Sequence, residues 1–131
     1  MRAMNPTLTE SERLTFGALL RTLIRLGGYT TPEEQEVVHS VVADLIEVPP
    51  GGNAGDVLAA LLERSAERYK DDEAVRAAAD EVTRPEAREA IYGALYEISA
   101  TETITLGESS VLDWLAARWN IRVQNADIPT S

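Results

Sequence analysis

The side chains with the most chemistry to offer in this 131-residue chain are one histidine and a surplus of carboxylates. His39 followed by Ser40 has the composition of a base beside a nucleophile. On a helix, however, sequence neighbours point about 100° apart, so the two do not face each other. Without an orienting carboxylate, His39 reads as a boundary histidine with no catalytic role. Adjacent acids such as Glu33-Glu34 and Asp71-Asp72-Glu73 are the raw material of acid–base catalysis. That chemistry needs a cleft that raises one pKa, and a chain with 22 acids places such pairs on solvated faces by default. Gly51-Gly52-Asn53-Ala54-Gly55 has the look of a phosphate cradle. It lacks the Lys and Ser or Thr of a P-loop and no strand precedes it, so an interhelical connection is expected.

Composition narrows the field further. With no cysteine, disulfides, thiolate zinc sites and cysteine nucleophiles are excluded, and one histidine excludes a two-histidine metal site within a chain. Twelve Lys and Arg against 22 Asp and Glu leave a net charge of −10, which repels phosphate backbones and anionic bilayers. Arg21 with Arg25, and Arg64 with Arg68, are i,i+4 pairs flanked by acids and read as salt-bridged surface rather than a nucleic-acid track. No stretch has signal-peptide layout, and the most apolar one, residues 16–26, is interrupted by Arg21 and Arg25. The expectation is a cytoplasmic protein with no nucleic-acid partner and no membrane insertion.

Aromatic residues are the candidates for partner binding. Trp114 lies to the flank of the Val111, Leu112, Leu115 and Trp119 stripe, on a last helix with one free face, where an exposed tryptophan is a typical interface anchor. Tyr92 and Tyr96 lie opposite the Ala87, Ile91, Leu95 and Ile98 face. They either meet a partner or, if their helix is central, pack against the middle of the molecule. The acidic surface favours a basic protein partner, with a second copy of the chain as the other option.

These residues must be carried by helices, because the apolar spacing is helical almost throughout. Helices are expected over residues 11–26, from 32 to the Pro49-Pro50-Gly51-Gly52 stop, and over 56–69, 72–82, 84–100 and 105–119. In the first, Leu19, Leu20, Leu23, Ile24 and Leu26 form the apolar side. Val37, Val38, Val41, Val42, Leu45 and Ile46 repeat as pairs every four residues, which defeats strand alternation despite the β-branching. Four Thr-x-x-Glu capping boxes punctuate the chain, at Thr9/Glu12, Thr31/Glu34, Thr83/Glu86 and Thr105/Glu108. One domain is expected, an all-α compact bundle of five or six helices with its core over about residues 9–120 and an extended tail over 121–131.

An offset of 74 residues superposes Ile24 on Ile98, Thr31 on Thr105, Glu34 on Glu108, Val37 on Val111, Val38 on Leu112 and Val41 on Leu115. Two pseudo-repeated helical hairpins related by a pseudo-twofold are the expected consequence.

Helix, then Ala-Asp-Gly-x-Ile-Ser-x-x-Glu, then helix is the pattern of the TerB-like tellurite-resistance hairpin. Leu26-Gly27-Gly28-Tyr29-Thr30-Thr31-Pro32-Glu33-Glu34 and Ala100-Thr101-Glu102-Thr103-Ile104-Thr105-Leu106-Gly107-Glu108 resemble it, in a layout running from Leu14 to Trp119. The family's loop aspartate falls on Gly27 and on Thr101, so it is missing from both copies, and its glycine is kept as Gly28 but replaced by Glu102. The resemblance implies the fold and a bacterial stress-response or defence setting. Because acidic loop residues of that family are linked to metal ions, it also implies a divalent-cation alternative with Glu34, Glu102 and Glu108 as ligands. The leading expectation is a non-enzymatic adaptor or interaction module with no cofactor. A divalent-ion sensor or buffer comes second, and a carboxylate-based enzyme in an interhelical cleft third.

Overall fold

The computed structural model describes residues 8–27, 31–46, 51–100 and 105–121, and they form an all-α bundle of six helices. In chain order these are α1 (Glu10–Gly27), α2 (Pro32–Leu45), α3 (Ala54–Arg68), α4 (Asp72–Glu81), α5 (Pro85–Ser99) and α6 (Leu106–Arg118). The connections after α1, α2 and α5, and the tail expected over 121–131, lie partly or wholly outside the described residues, Glu102 among them.

Three of the four expected capping boxes form. Thr9, Thr31 and Thr105 each accept the backbone N–H of the glutamate three residues on, at 3.1 Å. Each glutamate accepts the threonine N–H in return, at 2.8, 3.0 and 2.9 Å. The fourth, Thr83/Glu86, does not form: α5 begins one residue later, with Arg84 at the N-cap and no side-chain cap. Proline explains the displacement. A residue before proline is pushed out of helical geometry, and Arg84 is extended at φ −79°, ψ 125°, so Pro85 opens the helix and the threonine falls outside it. In the Thr31 box proline already occupies the first helical position, and the two signals agree.

Helix α1 is the centre of the bundle. It packs most extensively on α3 and also contacts α4, α5 and α6. Phe16, Ala18, Leu20 and Leu23 are fully buried along it. Close approach to α3 is permitted by Gly17, where a Cβ would come within 3.0 Å of Leu61 and 3.2 Å of the Ser65 hydroxyl. Helix α5 is likewise wide-buried, with Ala87, Ile91, Tyr92, Ala94, Leu95 and Ile98 all inside, which is why two faces of that segment are apolar.

The 74-residue echo has a structural counterpart. Both boxes are present, Val38 and Leu112 are buried, Val41 and Leu115 are buried, and Val37 and Val111 are both half-buried. Helix α2 packs on α5 and α6 packs on α1, the reciprocal pair that an exchange of halves requires. The hairpins themselves differ: α5 rests on α6, whereas α1 and α2 are not a principal contact, since α2 instead spans α3 and α5.

Helix α6 ends with Asn120 in the left-handed region at φ 55°, while Ile121 N–H reaches Ala116 O at 2.8 Å and Asn120 N–H reaches Ala117 O at 3.3 Å. This is the Schellman geometry, with asparagine in the place usually taken by glycine. It turns Ile121 back onto the core, where it is partly buried as its apolar character suggests.

Candidate functional site

Trp114 is half-buried and lines a cavity of about 290 Å³ between α1, α4 and α6. The walls follow from how α4 and α6 are held. At their C-terminal ends the Trp119 indole N–H donates to Ala79 O at 2.8 Å, and Arg118 grips Asp80 through two hydrogen bonds of 2.5 and 2.6 Å. The guanidinium holds the Asp80 carboxyl below its ordinary pKa, with burial opposing it. The helices are bridged by these side chains rather than by close backbone approach. Toward their N-terminal ends a gap opens, floored by Leu19 and Val75 and walled by Val111 and Trp114.

The last turn of α1 overhangs this gap. Leu26, expected on the apolar side of that helix, is 44% exposed and is not part of the core. Its side chain lies instead against Gly107 of α6, 3.1 Å from where a Cβ would be. Beside Gly107 stands Leu106, 88% exposed at the first position of α6. Leu26 thus forms an exposed apolar edge of the cavity. Its rim is charged: Arg25 pairs with Asp72 at 3.1 Å, both well exposed, and Arg76 stands one turn beyond Asp72.

The other candidates lie elsewhere. Tyr92 is buried at 8% exposure, and that burial, then the charge of Asp113, pushes its hydroxyl above the ordinary tyrosine pKa. It is a core residue, held by the central position of α5, and offers a partner little surface. Tyr96 is 43% exposed, with its ring centroid 6.3 Å from that of Tyr92. No described cavity or ring contact joins either tyrosine to Trp114.

Glu34 is half-buried and Glu108 only 2% exposed, each engaged in its capping box as described. Glu102 lies outside the described residues. Among those described, no group of three or more His, Asp or Glu converges to hold a metal ion. His39 is exposed, with no hydrogen bond to Ser40 or a carboxylate among the described residues. Its imidazole edge lies about 3.5 Å from the position of a Cβ on Gly55. The glycine-rich segment is an interhelical connection: Gly51 takes φ 83° and Asn53 caps α3 by accepting Asp56 N–H at 2.8 Å. Carboxyl pKa values move at Glu12 and Asp80, and both move down, the reverse of what a general acid needs.

Trp114, a candidate from its place beside the α6 stripe, lines this cavity; Leu26 and Arg76 line it as well and were not candidates. For Arg76 a signal existed, the i,i+4 spacing from Asp72 on an otherwise Ala-rich helix. For Leu26 there was none, because its exposure depends on where the end of α1 meets α6 and not on its place in the apolar spacing. No helix among the described residues is long and apolar enough to cross a membrane. No protein-family model, curated protein or solved structure matches the chain.

Proposed function

We propose that this chain is a non-enzymatic helical interaction module whose partner seats in the Trp114 groove. The observation that carries the reading is the concentration of accessible apolar surface there. Trp114, Val111 and Leu26 line one concavity, and Leu26 is among the few large hydrophobic residues that are clearly exposed among the described residues. A half-buried tryptophan beside a pocket has the makings of a binding hot spot, since it offers a large rigid area at low entropic cost. The TerB-like resemblance supplies the setting, a bacterial stress-response or defence system, and the net charge of −10 favours a basic protein as partner.

The test is capture of a partner from the native host by the whole chain and by Trp114→Ala, with both variants checked for unchanged helicity. A tryptophan acting as an anchor makes the substitution weaken capture by a factor of about 30 or more. Undiminished capture removes the assigned role of Trp114. A divalent-cation role for Glu34, Glu102 and Glu108 has less to support it, because two of the three carboxylates already serve helix starts. Titration with calcium, magnesium and manganese decides it: a ligand of the native state must raise the melting temperature.

A further inference from the structure

The groove's charge is opposite to that of the chain around it. Two guanidiniums, Arg25 and Arg76, line it with a single carboxylate, Asp72. The three other concavities described are not like this. One beside α1, α3 and α4 carries Glu10, Glu67 and Glu81 against Arg64 and Arg68. One on α2 and α5 carries Asp44, Glu89 and Glu97 with no cation, and a small one near Trp119 balances Arg88 with Glu89. In a chain of net charge −10, a locally positive apolar groove is the exception.

The two arginines differ in what they have left to give. Arg25 is paired with Asp72 at 3.1 Å. Arg76 is exposed and makes no hydrogen bond or ion pair among the described residues. Its planar fork is therefore available to a carboxylate at the mouth of a pocket whose interior is aliphatic and aromatic. The volume, about 290 Å³, sits at the lower edge of the ~300–1,000 Å³ usual for ligand pockets. It suits one large apolar side chain with a carboxyl group close by, not a helix laid along a groove. Leu26, 44% exposed at the edge of the cavity, extends the apolar contact outward, which a chain continuing away from the pocket would use and a small free acid would not.

Resting on the interaction-module reading, we infer that the groove takes the C-terminus of a partner chain. The last, apolar side chain enters between Val111 and Trp114, and the free carboxylate is held by Arg76. The long-range field of this acidic chain then draws a basic partner in, while the groove selects its terminus.

Peptides test this directly. Acetyl-Lys-Lys-Ala-Leu as the free acid and as the C-terminal amide are titrated into the isotope-labelled full chain, following the Trp114 indole N–H and the Val111 methyl signals. The amide carries one more net positive charge, so the overall field favours it and only a local carboxylate contact favours the acid. The acid is expected to bind about three- to fivefold tighter, the scale of a partly exposed ion pair. Arg76→Gln, at an exposed and unpartnered site, leaves the melting temperature unchanged and abolishes the difference. Equal or tighter binding of the amide overturns the inference, as does a preference that survives Arg76→Gln. So does 4-methylpentanoate binding in the groove as tightly as the peptide, which assigns the pocket to a free acid instead. If neither peptide reaches the groove while Trp114→Ala still weakens partner capture, this inference falls and the interaction reading stands. If capture is also indifferent to Trp114, both fall.

Discussion

At its N-terminal end α1 is sealed; at its C-terminal end it is open. Glu12, in the first turn, is only 6% exposed, yet every demand it makes is met. One oxygen accepts Thr9 N–H at 2.8 Å, and the Arg84 fork closes on both oxygens at 2.9 and 2.7 Å. The last turn carries the same ingredients, an arginine, a carboxylate and apolar neighbours, but Arg25 and Asp72 meet in solvent and Leu26 lies 44% exposed over the groove. An ion pair that is two-pronged and buried on one side fixes a helix end, whereas one at the rim leaves the end free for other work. The same residue types thus yield a structural corner in one place and a receptive surface in the other.

The sharpest way to break this comparison is to truncate leucines three residues apart. Leu23 is fully buried beneath the open end, and Leu23→Ala is expected to cost about 2–5 kcal/mol through lost burial and a cavity. Leu26→Ala should change stability by no more than about 0.5 kcal/mol, as an exposed position does. Urea unfolding of both variants measures this. A loss at Leu26 approaching that at Leu23 means that the overhang is part of the core after all.

The ion pairs come next. Glu12→Ala removes both the reciprocal cap and the acceptor of a charged hydrogen bond, and about 1–3 kcal/mol of destabilisation is expected. Asp72→Ala removes an exposed pair and should cost about 0–1 kcal/mol. Equal losses at the two ends remove the distinction between them.

Acid titration sharpens the same contrast. The Arg84 guanidinium, with the Thr9 cap, holds the Glu12 carboxyl below its ordinary value against the opposing effect of burial. A carboxyl whose folded pKa is depressed contributes stability that is complete above its unfolded value of about 4.3 and is lost as the pH falls through the folded one. Stability should therefore fall steeply below about pH 4.5, with Asp80 adding a smaller share because it is nearly half exposed. Glu12→Gln should flatten that acid limb while leaving the slope above neutrality unchanged. An unaltered limb would show that the pair does not govern acid stability.

How far the chain announced this comparison follows from the range of each signal. Helix starts are local, so Thr9, Thr31 and Thr105 with their glutamates could be read in sequence. Thr83 departs from this because Pro85 sets the start of α5 by an equally local constraint on the residue before it. Burial of α5 on two sides was latent in its two apolar faces. The Glu12–Arg84 pair joins residues 72 apart, and nothing in either neighbourhood selects one arginine among eleven. The groove is less legible still: Trp114 was singled out by its position beside a stripe. That it faces Val75 and Arg76 across a gap, instead of projecting outward, depends on the Trp119–Ala79 and Arg118–Asp80 ties at the far ends of α4 and α6.

The smallest expected effect concerns a flaw on the sealed side. Tyr69 follows α3 and lines a concavity beside Glu10 and Leu14 of α1; it is 6% exposed, and its hydroxyl is buried without a hydrogen-bond partner among the described residues. A buried donor left unpaired carries its full desolvation cost, so deleting it is favourable where deleting a paired one is not. The ring has separate support: the Arg68 guanidinium lies 5.7 Å from its centroid, a contact that phenylalanine keeps. Tyr69→Phe should therefore stabilise the chain by about 0–1 kcal/mol, the reverse sign of the usual tyrosine-to-phenylalanine change at a hydrogen-bonded site. A loss of about 1 kcal/mol or more would mean that a buried water satisfies the hydroxyl and ties it into the α1–α3 packing. The sealed end would then depend on solvent as well as on Arg84.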